Sequence, residues 1–150
     1  MANTAKLRYL IEPYVRSELD KIYPGRGFTE KSLPLRKKKD GTYAYHDFDA
    51  VSDDNSIIAS IKSHSWFTSG GKLPSGKIGQ IYQSIYFMSL VTAKTKLMIF
   101  TDFETYQRFK EYSNGKVEDS IEIKYIKLPE ELQKIRIKIL NEASNEMSRR

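Results

Sequence analysis

Apolar side chains recur at Leu7, Leu10, Ile11, Tyr14, Val15, Leu19 and Ile22, a three-and-four spacing that predicts an amphipathic helix over residues 4–22, bent or opened at Pro13. Pro24-Gly25-Arg26-Gly27 stops it, and the polar stretch that runs on to Gly41 reads as a long connection. Two β-type runs follow, residues 42–51 and 56–62, separated by Ser52-Asp53-Asp54-Asn55, whose side chains favour a turn, so the pair reads as a hairpin. After a loop over residues 63–75, helical spacing returns through Ile78, Ile81, Tyr82, Ile85 and Met88. Leu97-Met98-Ile99-Phe100 is apolar without a break, the pattern of a strand covered on both faces. A short helix over 102–112, an alternating strand over 121–126 and a last helix over 129–145 complete the order α, β, β, α, β, α, β, α. An α/β fold is predicted, its mixed sheet made of an antiparallel hairpin plus helix-linked parallel strands, flanked by helices.

Composition narrows the chemistry. A chain of 150 residues with 39% hydrophobic and 12% aromatic side chains suits one domain over residues 1–150. No apolar run approaches the roughly 18 to 20 residues that a bilayer requires, and Met1-Ala2-Asn3-Thr4-Ala5-Lys6 has no secretory pattern, so a cytoplasmic location and no membrane partner are expected. Cysteine is absent, which excludes disulfides, thiol catalysis and thiolate zinc. With only His46 and His64 as imidazoles, carboxylates are the natural ligands for a hard cation. The net charge of +6 favours a polyanionic partner.

Against that background the hairpin is the informative segment. It holds Tyr45-His46-Asp47-Phe48-Asp49-Ala50-Val51 in its first strand and Ile57-Ile58-Ala59-Ser60-Ile61-Lys62-Ser63 in its second. Centring the turn on Asp53-Asp54 puts Asp47 opposite Ser60 and Asp49 opposite Ile58, and alternation puts Asp47, Asp49, Ser60 and Lys62 on one face. Two carboxylates and a lysine in an apolar sheet need a partner. A divalent cation would polarise a phosphate oxygen while Lys62 positions or deprotonates the attacking water. The plain alternative is a solvated hairpin in which Asp47 and Lys62 form an ordinary cross-strand pair.

The order helix, hairpin, helix, strand, with an aspartate in the first hairpin strand and Ser60-Ile61-Lys62 in the second, resembles the PD-(D/E)XK superfamily of restriction enzymes, junction resolvases and repair nucleases, over about residues 7–126. The resemblance implies a restriction-endonuclease-like fold and a Mg²⁺-dependent endonuclease, with Mn²⁺ as a substitute ion. It implies Asp47 or Asp49 as the motif aspartate, Lys62 as the lysine that assists the water, and Glu18 as the glutamate of the first helix, so the implied metal ligands are Asp49, Asp47 and Glu18. Asp47 stands thirteen residues before Ser60 and Asp49 eleven. No proline precedes either aspartate, and Ser60 occupies the acidic position, where a hydroxyl is the weaker ligand for a hard ion. A restriction-type endonuclease acting on double-stranded DNA as a homodimer is the function implied. Its alternatives are a non-catalytic DNA-binding or complex-forming module that kept the fold, and an RNA-directed nuclease.

Gly71-Lys72-Leu73-Pro74-Ser75-Gly76-Lys77 fits GxxxxGK, but Ile78 stands where a phosphate loop requires a hydroxyl, and no nucleotide cofactor is expected. Lys72 and Lys77, the run Lys37, Lys38 and Lys39, and Trp66 are the expected DNA contacts, since loops bearing charge and aromatic rings suit phosphate contact and stacking; a solvated surface explains them equally. Gln80 and Gln83 fall on the helix after the motif, and His46 and His64 flank the cluster.

Overall fold

The computed structural model describes residues 5–67, 71 and 73–148, and the side chains of all of these except 144–148. Its elements are α1 (Ala5–Ile22), β1 (Phe28–Lys37), β2 (Tyr43–Ser52), β3 (Ile57–Lys62), α2 (Ser75–Ser89), β4 (Thr95–Phe100), α3 (Phe103–Tyr112), β5 (Ile121–Tyr125) and α4 (Glu130–Ser148). One five-stranded sheet has the order β1-β2-β3-β4-β5, antiparallel from β1 to β3 and parallel from β3 to β5. This is the mixed α/β architecture predicted, with one more strand.

The centre of the sheet follows from its apolar runs. Ile57 to Ile61 of β3 and the last four residues of β4 are buried along both faces, and helices cover them on either side. Ile11, Val15 and Leu19 of α1 pack with Ala50, Ala59, Ile61, Leu97 and Ile99 on one face, where α4 also contacts α1. Ile78, Ile81, Ile85 and Met88 of α2 pack with Phe48, Ile58, Met98 and Phe109 of α3 on the other. The turn between β2 and β3 is built as its residues suggest. The Asn55 amide donates to the Ser52 carbonyl at 2.9 Å, and Asp54 Oδ1 accepts from the Ser56 amide at 3.0 Å.

β1 is the strand that the sequence reading took for a connection. Only Phe28 and Leu33 of its ten residues are buried, and among the described residues it pairs with β2 alone, at the edge of the sheet. An edge strand needs few apolar residues and tolerates Pro34, whose missing N–H breaks no inner ladder. α1 runs through Pro13 unbroken rather than losing its first turn. Trp66 is 3% exposed and packs in the α2–α3 core with its ring 6.2 Å from Tyr112, so the expected DNA contact is instead a core residue. Among the described residues no helix is long and apolar enough to cross a membrane.

Candidate active site

β2 and β3 part company where the chemistry gathers. Their paired register consists of Ala50 with Ala59 and Val51 with Ile58, whereas β2 stays paired with β1 through Phe48, Asp47, His46, Tyr45 and Tyr43. Between Thr29↔Val51 and Lys31↔Phe48, two residues of β2, Asp49 and Ala50, face the single residue Glu30 of β1. Such a bulge leaves one residue out of the ladder and re-aims its side chain. Asp49 Oδ2 accepts a hydrogen bond from the Ile61 amide at 2.8 Å, filling the gap between the strands as a carbonyl would. Arg16 Nη1 donates to the Asp49 carbonyl at 2.8 Å and clamps the bulge from α1.

This corrects the hairpin geometry expected from unbroken alternation. Val51, not Asp49, faces Ile58, a shift of two residues. Phe48 lies in the α2-side core, so alternation turns its neighbour Asp47 the opposite way, exposed and without a hydrogen bond or ion pair among the described residues. Ile61 belongs to the α1-side core, so Ser60 and Lys62 project toward α2. Asp47, Ser60 and Lys62 therefore do not share a face, although Asp47 still borders the same cleft. That cleft holds about 320 Å³ and is lined by Asp49, Ser60 and Lys62, with His46 and Asp47 from β2 and Gln80, Gln83 and Ser84 from α2.

The glutamate that reaches this cluster is Glu12, which sequence reasoning missed. Its side chain is 12% exposed, and its Oε1 is buried without a hydrogen-bond partner; Arg8 Nε and Arg16 Nη1 each stand 3.8 Å away. Burial, then repulsion from Asp49, pushes the Glu12 carboxyl up to about 7 against the pull of Arg8 and Arg16. Burial raises the Asp49 carboxyl as well, outweighing the Ile61 amide and the charges of Lys62 and Arg8. Burial draws the Lys62 ammonium below its ordinary value, while Asp49 and then Glu12 hold it up. Glu18, the expected helix ligand, lies six positions along α1 and roughly 120° around its axis from Glu12. It bonds to the Tyr14 hydroxyl, which holds its carboxyl below the usual value, and to Lys21 Nζ at 3.4 Å, and so is not part of the cluster.

The remaining predicted residues fall around this centre. Lys37, Lys38 and Lys39 are exposed at the turn between β1 and β2. Lys77 Nζ donates to the Ser65 carbonyl at 3.4 Å, which ties its ammonium to the loop after β3. Lys72 lies outside the described residues. The His46 ring sits between Phe48 and Phe87, with centroids 4.9 and 4.4 Å away, as a packed aromatic. Burial pushes His64 down to about 4, leaving it neutral near pH 7, and its Nε2 has no hydrogen-bond partner.

For a cation, the donors that act on one another are the carboxylates of Glu12 and Asp49, with the exposed Asp47 at the border of the cleft; among the described residues no group of three His, Cys, Asp or Glu side chains forms a ligand set. The pair is nevertheless of the kind that takes a hard ion, being all oxygen, close enough for mutual repulsion, and orphaned at one buried atom.

A pH experiment tests the burial of Glu12. Its carboxyl titrates near 4.5 in the unfolded chain and near 7 in the folded one, so the folded state binds the proton more tightly, and stability present below pH 4.5 is lost as pH rises through 7. Glu12→Gln removes that titration. The variant should melt with the parent at about pH 4 and above it at about pH 8. Equal declines in both proteins would mean that Glu12 is not held in this environment.

No protein-family model, no curated protein and no solved structure matches this chain.

Proposed function

We propose that the chain hydrolyses phosphodiester bonds of DNA with Mg²⁺, Glu12 and Asp49 holding the ion and Lys62 serving the attacking water. The observation that carries this reading is the meeting of Glu12, whose buried Oε1 has no hydrogen bond, with Asp49 and Lys62 where β2 and β3 separate. Two half-buried carboxylates, with Asp49 holding back the ionisation of Glu12, require positive charge, and the guanidiniums at 3.8 Å supply it without a hydrogen bond. When bound there, a divalent ion polarises a phosphate oxygen and acidifies water. Lys62 Nζ, its ammonium drawn below its ordinary value by burial, holds the water by a hydrogen bond or takes its proton. The amides of Gln80 and Gln83 line the opposite wall, where they suit the non-bridging oxygens of a phosphate. The order of elements from α1 to β4, the resemblance in Ser60-Ile61-Lys62 and the net charge of +6 support the same reading. Cutting both strands of a duplex takes two such sites, which a homodimer supplies.

Supercoiled plasmid DNA titrated with Mg²⁺ is the direct test, with Asp49→Asn as the control. Nicked and linear products from the parent and none from the variant are expected. Calorimetry gives a second readout. Because Glu12 is partly protonated near pH 7, Mg²⁺ binding should release protons, and the observed heat should change with the ionisation enthalpy of the buffer. Ser60, a hydroxyl in the acidic position, favours the second reading, a DNA-binding module without catalysis. Retardation of the plasmid with no nicking in either Mg²⁺ or Mn²⁺, and no proton release, would establish that reading over the first.

A further inference from the structure

β1 and β2 continue past β3 as a two-stranded ribbon. From Phe48 to Tyr43 the residues of β2 pair with β1, while β3 pairs with β2 at Ala50 and Val51. One ribbon face is apolar and anchored: Leu33 and Phe48 lie in the α2-side core, and His46 stacks on Phe87 of α2. The unbroken register Ser32↔Asp47, Leu33↔His46, Pro34↔Tyr45 sends Tyr45 and Asp47 to the other face, and Tyr43 joins them, because the irregularity before Lys37↔Tyr43 puts its extra residue in β1 and leaves the alternation of β2 intact. Among the described residues nothing covers that face. Tyr45 is 63% exposed and has no hydrogen bond or ring partner among the described residues; Tyr43 is 46% exposed, with Lys37 Nζ 5.9 Å from its ring centre.

The ribbon tip carries Arg36, Lys37, Lys38 and Lys39, all exposed, and none of the four forms an ion pair among the described residues. The single acid of the turn, Asp40, is already bonded to the amide and hydroxyl of Thr42, at 2.9 and 2.7 Å. Four unneutralised cations call for a polyanion, and two open rings call for flat apolar partners. A duplex offers phosphates but keeps its base faces inside the stack, whereas a single strand offers both at once. Tyrosines two positions apart on one strand stand roughly 7 Å from each other, a spacing that lets successive unstacked bases each find a ring. The row also leads inward, since Asp47 on the same face borders the cleft that holds Asp49 and Lys62.

We propose that this face of the β1–β2 ribbon is a stacking platform for single-stranded DNA, Tyr43 and Tyr45 receiving bases and the Arg36 to Lys39 run receiving phosphates. It deepens the nuclease reading and rests on it for the destination of the strand: the substrate would be DNA with an unpaired segment, an overhang, flap or gap, delivered along the ribbon to the cleft.

Binding is measured on the full chain carrying Asp49→Asn, without divalent ions, by fluorescence anisotropy. The probes are a labelled thymidine oligonucleotide of about 15 nucleotides, an abasic strand of equal charge, and a blunt duplex of the same length. The thymidine strand should bind at least about tenfold tighter than the abasic one and tighter than the duplex. Tyr45→Ala should weaken thymidine binding roughly 5- to 100-fold, toward the abasic level, while Tyr45→Phe keeps it. Lys38→Ala with Lys39→Ala should weaken both single strands alike and reduce the salt slope. Abasic and thymidine strands binding equally, a duplex bound more tightly than either, or a Tyr45→Ala variant indistinguishable from its parent would each overturn the platform. Cleavage of overhang against blunt DNA by the unsubstituted chain is scored separately. The binding pattern without cleavage would leave the platform standing and reject the nuclease, and cleavage without the pattern would do the reverse.

Discussion

Lys62→Ala is expected to leave DNA binding within about threefold of the parent and to lower cleavage by on the order of 10² to 10⁴, the range contributed by a positioned proton-transfer group. The ammonium lies at the end of β3, next to the gap that Asp49 fills, and is drawn down by burial while two carboxylates hold it up. Those opposed influences give it two separable jobs. As a counter-charge it offsets the carboxylates, and on the proposed nuclease reading it exchanges a proton with water as an amine. Lys62→Arg keeps the first and abolishes the second, because a guanidinium does not deprotonate in a protein. Cleavage by the arginine variant should therefore remain low while its stability stays near that of the parent. Lys62→Met should lose both, and its melting temperature should fall most at high pH, where Glu12 and Asp49 are ionised without their cation. Full cleavage by Lys62→Ala would remove the lysine from the chemistry, and rescue by arginine would reduce its role to charge alone.

What could be read in advance, and what could not, follows from how each feature is encoded. The central strands are continuous apolar runs and the β2–β3 turn carries its own hydrogen-bonding side chains, so both were legible from composition over a few residues. β1 was not, because an edge strand with Pro34 and mostly exposed residues has the composition of a loop. The meeting of Asp49 with Lys62 was foreseen, but for an incomplete reason. Alternation assumes one residue per step, and the bulge at Asp49 and Ala50 breaks that assumption through a long-range match to Glu30 that no local pattern records. A signal for Glu12 was present. Arg8, Glu12 and Arg16 form an i, i+4 row directly beside the buried stripe of Ile11, Val15 and Leu19, and an acid there must either be paired or do work. Glu18 lies on the opposite flank of the same stripe, beside Tyr14. Trp66 was assigned to DNA from its loop, although a large ring near a strand end is as readily a core side chain, and here it is one.

Asp102→Ala should be the most destabilising polar substitution in the chain. Arg136 of α4 has a side chain 3% exposed, and its Nη2 meets Asp102 Oδ1 at 2.8 Å. Its Nη1 donates to the Ser63 carbonyl at 3.1 Å, one residue beyond Lys62. The other carboxylate oxygen caps α3, accepting from the Thr105 amide at 2.9 Å and its hydroxyl at 2.8 Å. Alanine at 102 strands a buried guanidinium, at a cost of about 3–5 kcal/mol, and removes a helix cap worth about 1 kcal/mol. In a chain of this size that lowers the melting temperature by roughly 10 °C or more. Asp102→Asn retains the cap acceptor and a neutral partner for Arg136, so its loss should be smaller. Combining it with Arg136→Met removes the buried charge and should recover much of the stability, since what is costly is the unpaired ion rather than the absence of the pair. Activity should not recover with it. The double variant leaves the Ser63 carbonyl without its guanidinium and loosens the end of β3 that aims Lys62, so cleavage should lag behind the restored melting temperature. If cleavage and stability return together, Arg136 holds the fold and has no part in positioning the lysine.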